Sequence, residues 1–272
     1  MVSRETFQLA DAIGTVHHPV VSVPRIASLV PSITELLCEL GLADQLIART
    51  SYCIHPASQV GDIAAVGGTK KIKHRLLRQL KPTHVIVNID ENTRLMAEQL
   101  AEYVPNIIVT HPLGPLDNPG LYRLLGGIFR CDERAGQLEQ QFHQALAQLR
   151  SVRSVEPQQV TYLIWNDPWM TVSRDTYIAR MLALINWQTL PETCESRYPV
   201  LTFDQALLER VDRILFSSEP YKFDQTHLAE FAKRYHYPAD RLRLIDGEMT
   251  SWYGSRAIAG LKYLQQLATD NG

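Results

Sequence analysis

The strongest constraint on the fold of this chain is a regular alternation of short β-branched runs with helical segments. Buried strands are predicted at RIASLV (25–30), LIART (46–50), HVIVN (84–88) and NIIVT (106–110). Helical patterns fill the intervals between them, at 31–41, 74–82 and 91–104. Strands that alternate with helices at this spacing form βαβ units, and βαβ units build a parallel sheet.

The first helix carries recognisable start and stop signals. Ser32 and Glu35 match a capping box, and Gly41 is placed to end the helix as the C′ glycine. Cys38 falls on the apolar face of this helix, which predicts a buried free thiol. The four cysteines include no CxxC pair, so neither a zinc ribbon nor a redox dithiol is indicated.

The middle of the chain changes from alternating units to continuous helical periodicity. Gly126 and Gly127 suggest a break between a short helix and a long one, which we expect to run from about Asp132 to Val152. A helix of this length spans roughly 30 Å, enough to join two lobes as a rigid spine. Its apolar residues share one face, namely Leu138, Phe142, Ala145, Leu146 and Leu149.

After Pro157 the α/β pattern begins again. Strands are predicted at 160–165, 213–218 and 241–246, and helices at 175–186, 202–211, 224–235 and 255–268, with Asp175 as a helix cap. The fold class is therefore α/β, with two Rossmann-like lobes that have parallel sheets and are joined by one long helix. The predicted divisions are an N-terminal extension (1–24), a lobe (25–130), the bridging helix (131–153) and a second lobe (154–272).

Composition and charge exclude several classes of function. The 272 residues carry a formal net charge of −2, which gives no basic footprint for nucleic acid. No run reaches the ~20 apolar residues of a membrane-spanning helix. The first residues do not form a secretory signal, so we expect a periplasmic protein if a leader has been removed and a cytoplasmic one otherwise.

Ligands of open parallel sheets bind beyond the carboxyl ends of the strands. In the first half these positions hold Ser32, Tyr52 and the acidic pair Asp90 and Glu91. In the second half they hold three loops, NDPWM, EPYKF and DGEMTSWYGSR, which are rich in aromatic residues. Aromatic rings bury a large area at low entropic cost, so this concentration predicts a ligand surface.

The stretch IWNDPWMTV (164–172) places two tryptophans around a forced break. Pro168 is expected to end the strand, which leaves Trp169 free to face a cleft, while Trp165 stays on the strand and packs in the core. The alternative is that both tryptophans simply pack the interior.

Other candidate sites have simpler interpretations. Cys53 and His55 are two possible metal ligands, but no second cluster of ligands accompanies them. The stretch GGTKKIK (67–73) lacks the P-loop pattern and is interpreted as a turn with a basic face. Arg256 at a helix start opposes the helix dipole, so it should meet an acidic ligand group or Glu248. Glu219 and Glu248 have no nucleophile or oxyanion device beside them, so we interpret them as orienting a ligand or facing a partner, with no catalytic residue.

Several stretches resemble a known family. PSITELLCELGL, TSYCIHP, VGGTK and LKPTHVIV are similar to the N-terminal lobe of cluster A, or type III, substrate-binding proteins of ABC importers. IWNDPWMTVSRDTYI, SSEPYKF and DGEMTSWYGSR resemble the helical-backbone metal receptors, or cobalamin-binding-like proteins, of that family. The resemblance implies the type III periplasmic-binding-protein fold and a ligand cleft between two lobes.

The resemblance also implies a function and a set of residues. We expect a monomeric, non-enzymatic protein that binds a corrinoid, haem or ferric siderophore and delivers it to an ABC permease; Lys70 favours a smaller or more anionic chelate. The alternative is a cytoplasmic enzyme or corrinoid-handling factor on the same fold. The expected ligand-binding residues are Ser32, Tyr52, Lys70, Trp169, Tyr221, Trp252, Tyr253 and Arg256.

Overall fold

The structure is a computed structural model that describes residues 8–152, 156–192 and 195–269. The chain divides into two compact units. The N-terminal unit contains residues 1–112, 117–142 and 253–255, and the C-terminal unit contains residues 113–116, 143–252 and 256–272.

The N-terminal unit is built on a five-stranded parallel sheet with the order β3-β2-β1-β4-β5. The central strands β1 and β4 are buried along their whole length, as expected for a parallel sheet covered on both faces. The strands are β1 (Ile26–Ser28), β2 (Leu46–Arg49), β3 (Ala64–Ala65), β4 (His84–Asn88) and β5 (Asn106–Thr110).

In the N-terminal unit a helix follows each of these strands along the chain. Pro31 occupies the first turn of α1, where its missing N–H costs no hydrogen bond. One core cluster of this unit joins Ala27, Val85 and Val87 of the sheet to Leu77, Met96 and Leu100 of the helices. The helices are α1 (Pro31–Glu39), α2 (Ala57–Val60), α3 (His74–Leu80), α4 (Arg94–Ala101) and α5 (Asn118–Phe129).

One long helix, α6 (Asp132–Ser151), crosses the boundary between the units. Residues up to Phe142 belong to the N-terminal unit, and residues from His143 belong to the C-terminal unit. The predicted apolar face is confirmed, because Leu138, Phe142, Ala145, Leu146 and Leu149 are all buried.

The C-terminal unit has a four-stranded parallel sheet with the order β7-β6-β8-β9. Its strands are β6 (Gln158–Leu163), β7 (Trp187–Thr189), β8 (Arg213–Ser217) and β9 (Leu242–Ile245). Its helices are α7 (Tyr177–Ala183), α8 (Gln205–Arg210), α9 (Gln225–Tyr235), α10 (Gly247–Ser251) and α11 (Arg256–Thr269).

Two predictions about helix caps are wrong. The N-cap of α1 is Val30, and Ser32 lies inside the first turn, so Ser32 and Glu35 form no capping box. Thr176, and not Asp175, caps α7 by accepting a hydrogen bond from the Ala179 N–H.

The break expected at two glycines also lies elsewhere. Helix α5 runs through Gly126 and Gly127, and the chain turns at Arg130, which has a positive φ of 56°. A side chain at Gly126 would collide with Ala135 of α6, because its Cβ would lie 2.5 Å from the Ala135 Cβ. Gly126 therefore permits close helix packing and does not break the helix.

Candidate functional site

The order of the strands defines one switch point in each sheet. In the N-terminal unit β1 lies beside β4, and in the C-terminal unit β6 lies beside β8, so the chain leaves these neighbours in opposite directions. The loops after such strands splay apart and leave room for a ligand at the carboxyl edge. The residues that follow β1, β4, β6 and β8 are therefore the first candidates in each unit.

The carboxyl edge of the N-terminal sheet exposes large apolar side chains. Tyr52 is 62% exposed and Ile54 is 53% exposed in the loop after β2, and Ile89 is 45% exposed directly after β4. Apolar side chains grouped on one surface mark a binding face more often than single ones do. The sequence pointed to Tyr52 but not to the two isoleucines, which resemble ordinary core residues.

A charged group lies in the same unit. The Lys70 ammonium donates a hydrogen bond to the backbone carbonyl of Asp90 at 2.7 Å, and the Asp90 carboxylate lies 3.4 Å from His111 Nε2. Lys70 is carried by the turn that the sequence predicted, because Gly67 and Ile72 form an antiparallel bridge on either side of it.

Tyr253 is held inside the N-terminal unit by an acidic partner. It is 7% exposed, and its phenol donates a hydrogen bond of 2.7 Å to Glu91 Oε1. Burial, and then the negative charge of Glu91, raise the pKa of Tyr253 well above its usual value, while the buried Ser32 hydroxyl opposes this shift. Tyr253 therefore serves to orient Glu91 and offers little ring surface.

In the C-terminal unit Glu219 holds the loop that carries Trp252. The Trp252 indole N–H and the Ser251 hydroxyl both donate to Glu219 Oε1, at 2.7 and 2.9 Å. Burial raises the pKa of the Glu219 carboxyl, and these two hydrogen bonds oppose the rise. Glu219 therefore fixes the position of Ser251 and Trp252.

The predicted pairing of Arg256 with Glu248 is confirmed. The guanidinium lies 3.2 Å from the Glu248 carboxylate, and its central carbon lies 5.1 Å from the centre of the Trp252 ring. Trp252 is thereby fixed by a hydrogen bond on its edge and by a cation over its ring. With 9% of its surface exposed, Trp252 is mostly buried.

Trp165, the first tryptophan of IWNDPWMTV, does not lie in the core. Trp165 was expected in the core, but β6 ends at Leu163, and a turn between Trp165 and Met170 leaves Trp165 42% exposed. Its ring meets Tyr221 edge to face, with the centroids 5.6 Å apart. Trp165 and Tyr221 thus form an aromatic pair after β6 and β8, beside the switch point.

Trp169 lies in an aromatic cluster of the C-terminal unit. It stacks on Phe223 with the ring centroids 6.1 Å apart, and its indole N–H donates to Tyr235 Oη at 3.1 Å. The rings of Phe203, Phe216 and Phe231 approach it edge to face. Trp169 nevertheless keeps part of its surface exposed and lines a cavity of this unit, whereas Trp252 and Tyr253 are mostly buried.

The described residues contain no group of three or more histidine, cysteine or acidic side chains that could hold a metal ion. Cys53 is fully buried, and burial raises the pKa of its thiol. Cys38 is a buried free thiol, as predicted, while Cys194 lies outside the described residues.

A family model described as "Periplasmic binding protein" matches residues 26–236. The chain belongs to the periplasmic binding protein family. Among its relatives, a vitamin B12-binding protein of Photorhabdus laumondii is 24% identical over 260 residues, which cover 94% of this chain and 92% of that protein. A vitamin B12-binding protein of Pectobacterium carotovorum is 23% identical over 73% of this chain and 72% of its own length.

Solved structures show the same fold. The periplasmic vitamin B12-binding protein of Vibrio cholerae matches with a TM-score of 0.77 and 17% identity, covering 91% of this chain and 97% of that one. The periplasmic haem-binding protein of Roseiflexus sp. RS-1 matches with a TM-score of 0.76 and 20% identity, covering 91% and 98%. The predicted type III fold is confirmed, and within the described residues no helix is long and apolar enough to span a bilayer.

Proposed function

We propose that this protein binds a metal chelate of the corrinoid, haem or ferric-siderophore type and delivers it to an ABC importer. The observation that carries the proposal is the match to relatives named as vitamin B12-binding proteins, one of which extends over 94% of this chain. Neighbouring solved structures are named as vitamin B12-binding and haem-binding proteins, and these names describe binding proteins and not enzymes.

The exposed side chains of the two sheet edges suit such a ligand. A chelate with a large planar ring system offers apolar faces, which the Trp165–Tyr221 pair of the C-terminal unit can cover. The N-terminal unit carries its own exposed side chains at its sheet edge, Tyr52, Ile54 and Ile89. In the N-terminal unit the exposed Lys70 ammonium would supply a polar anchor, and Glu91 and Glu219 would each keep the loop of its own unit in place.

Of the expected ligand-binding residues, Trp169, Trp252 and Tyr253 act in this proposal mainly by shaping the loops. Each is buried or half-buried and holds a hydrogen bond to another side chain. Trp165 takes the place of Trp169 as the aromatic residue that touches the ligand. Sites built from rigid side chains with supporting hydrogen bonds bind more tightly than mobile ones.

Isothermal titration with cyanocobalamin, dicyanocobinamide, haemin and a ferric siderophore tests this function. We expect saturable binding of at least one of these chelates. Trp165→Ala should weaken that binding about tenfold, because the exposed indole loses both its buried area and its ring contact. The control is Val23→Ala. Val23 is 78% exposed and precedes β1, so it lies at the amino edge of the N-terminal sheet, away from the carboxyl edges that carry the proposed surfaces.

Two outcomes would contradict the proposal. Absence of binding for all four chelates in folded protein removes the function, and equal losses for the Trp165 and Val23 variants remove the assigned surface. Fractionation of cells that express the full gene tests the transport role, which requires the protein to reach the compartment on the substrate side of an importer.

A further inference from the structure

A cavity lies wholly inside the C-terminal unit, beside the aromatic cluster of Trp169. Its volume is about 660 Å³, within the range of pockets that bind small ligands and short peptides. Three segments line it: the turn at residues 166–169, the extended stretch at residues 200–203, and one face of α9 formed by His227, Glu230, Phe231, Arg234 and Tyr235.

The extended stretch presents an unused strand edge. It runs antiparallel to the segment after Trp169, because the Leu201 N–H donates to the Trp169 carbonyl and the Thr171 N–H donates to the Pro199 carbonyl. Successive backbone groups of an extended chain point to opposite sides. The N–H groups of Val200 and Thr202 consequently point away from that segment, and they have no hydrogen-bond partner among the described residues.

The helix face supplies a cation with no ionic partner. Within the described parts of the chain, no carboxylate forms a salt bridge with Arg234, not even Glu230, one turn earlier on α9. The Arg234 guanidinium lies 5.3 Å from the centre of the Tyr235 ring. The Tyr235 oxygen accepts from the Trp169 indole, and its own hydrogen has no acceptor among the described residues.

We propose that this cavity binds an extended peptide segment that carries one carboxylate. The peptide backbone pairs with the open edge at Val200 and Thr202, which adds a strand to this segment. An apolar side chain of the peptide covers Trp169, and the carboxylate accepts hydrogen bonds from Arg234 and Tyr235. Asp167 and Glu230, which also line the cavity, repel further negative charge, so a peptide with a single carboxylate is preferred.

The test uses the full chain labelled with 15N and the probe peptide acetyl-Val-Thr-Val-Phe with a free C-terminal carboxylate. Its C-terminal amide is the matched probe without the charge. We expect saturable shifts at the amides of Val200 and Thr202, with the acid binding about five- to tenfold more tightly than the amide, as one charge-assisted hydrogen-bonded pair allows.

Arg234→Gln should remove the preference for the acid and leave the affinity for the amide within about twofold, as a double-mutant cycle requires for a direct contact. Lys233→Gln is the control, since it removes the same charge from the neighbouring position of α9, outside the cavity lining. Lack of saturation overturns the proposal. So does an equal loss with both variants, or tight binding of phenylacetate, which has no backbone to pair.

Discussion

The two units present different chemistry at the carboxyl edges of their sheets. The N-terminal unit exposes aliphatic side chains and one tyrosine, beside the charged group of Lys70, Asp90 and His111. The C-terminal unit exposes the Trp165–Tyr221 pair, which lies next to a dense cluster of aromatic rings. Aromatic rings thus have two functions in the C-terminal unit, since some face solvent and others build the core.

In both units a carboxylate that follows a strand accepts a hydrogen bond from an aromatic residue. Glu91 accepts from Tyr253 in the N-terminal unit, and Glu219 accepts from Trp252 in the C-terminal unit. Burial raises the pKa of Tyr253 and that of Glu219. The two contacts differ in one respect, since the Trp252 ring also contacts the Arg256 guanidinium.

The largest expected effect comes from the core of the aromatic cluster. Phe231 is 1% exposed and contacts Trp169, Phe203 and Phe216, so Phe231→Ala should lower the free energy of unfolding by about 3–5 kcal/mol. Urea denaturation measures this loss. The exposed Ile54→Ala of the other unit should change stability by about 0.5 kcal/mol or less. If both variants lose a similar free energy of unfolding, the contrast between the packed rings of the C-terminal unit and the exposed side chains of the N-terminal unit is contradicted.

The second effect concerns a buried histidine of the N-terminal unit. Burial, and then the charge of His17, lower the pKa of His84 from 6.5 to about 4. A lowered folded-state pKa gives stability that is complete above pH 6.5 and is lost as the pH falls towards 4. The loss is at most about 3 kcal/mol.

His84→Gln should remove this component of the pH dependence of unfolding, measured between pH 7 and 4. The exposed His18→Gln is the matched control. If the two variants have the same pH profile, His84 does not provide the acid sensitivity.

The third effect has the opposite slope and lies in the C-terminal unit. Because burial raises the pKa of Glu219, its contribution is most favourable below its unfolded-state pKa and is lost as the pH rises through its folded-state pKa. Glu219→Gln keeps an oxygen that accepts from Trp252 and Ser251. In urea denaturation, the free energy of unfolding of the wild-type protein should fall relative to that of this variant as the pH rises from 4 to 7. If the difference between the two free energies stays the same over this range, the raised pKa of Glu219 is contradicted.

The smallest expected effect is electrostatic. Lys70 lies on an exposed turn, so Lys70→Gln should weaken binding of a chelate with free carboxylates, such as haemin, by about threefold or less. Binding of dicyanocobinamide should stay unchanged. Titration of both ligands at low and high salt measures this effect. The loss of haemin affinity should become smaller at high salt, because a surface charge effect fades as ionic strength rises.

Much of the fold follows from local pattern. The runs HVIVN and NIIVT predicted β4 and β5 to the residue, and Asp132 was the predicted start of the long helix. The strands β3 and β7 were missed because two or three residues are too few to show a periodic pattern. The glycines of α5 show the limit of single-residue signals, since Gly126 is required by the neighbouring Ala135 and not by a turn.

The sequence by itself determined the two parallel sheets, the long helix and the loops that carry polar and aromatic residues, because these depend on contacts between near neighbours in the chain. Only the tertiary structure decided which of those rings are exposed. Trp169 is partly covered because the rings of Phe203, Phe223 and Phe231 approach it from distant segments, whereas Trp165 lies beyond the end of its strand and is 42% exposed. The exposure of a side chain depends on packing between such segments, which no local pattern records.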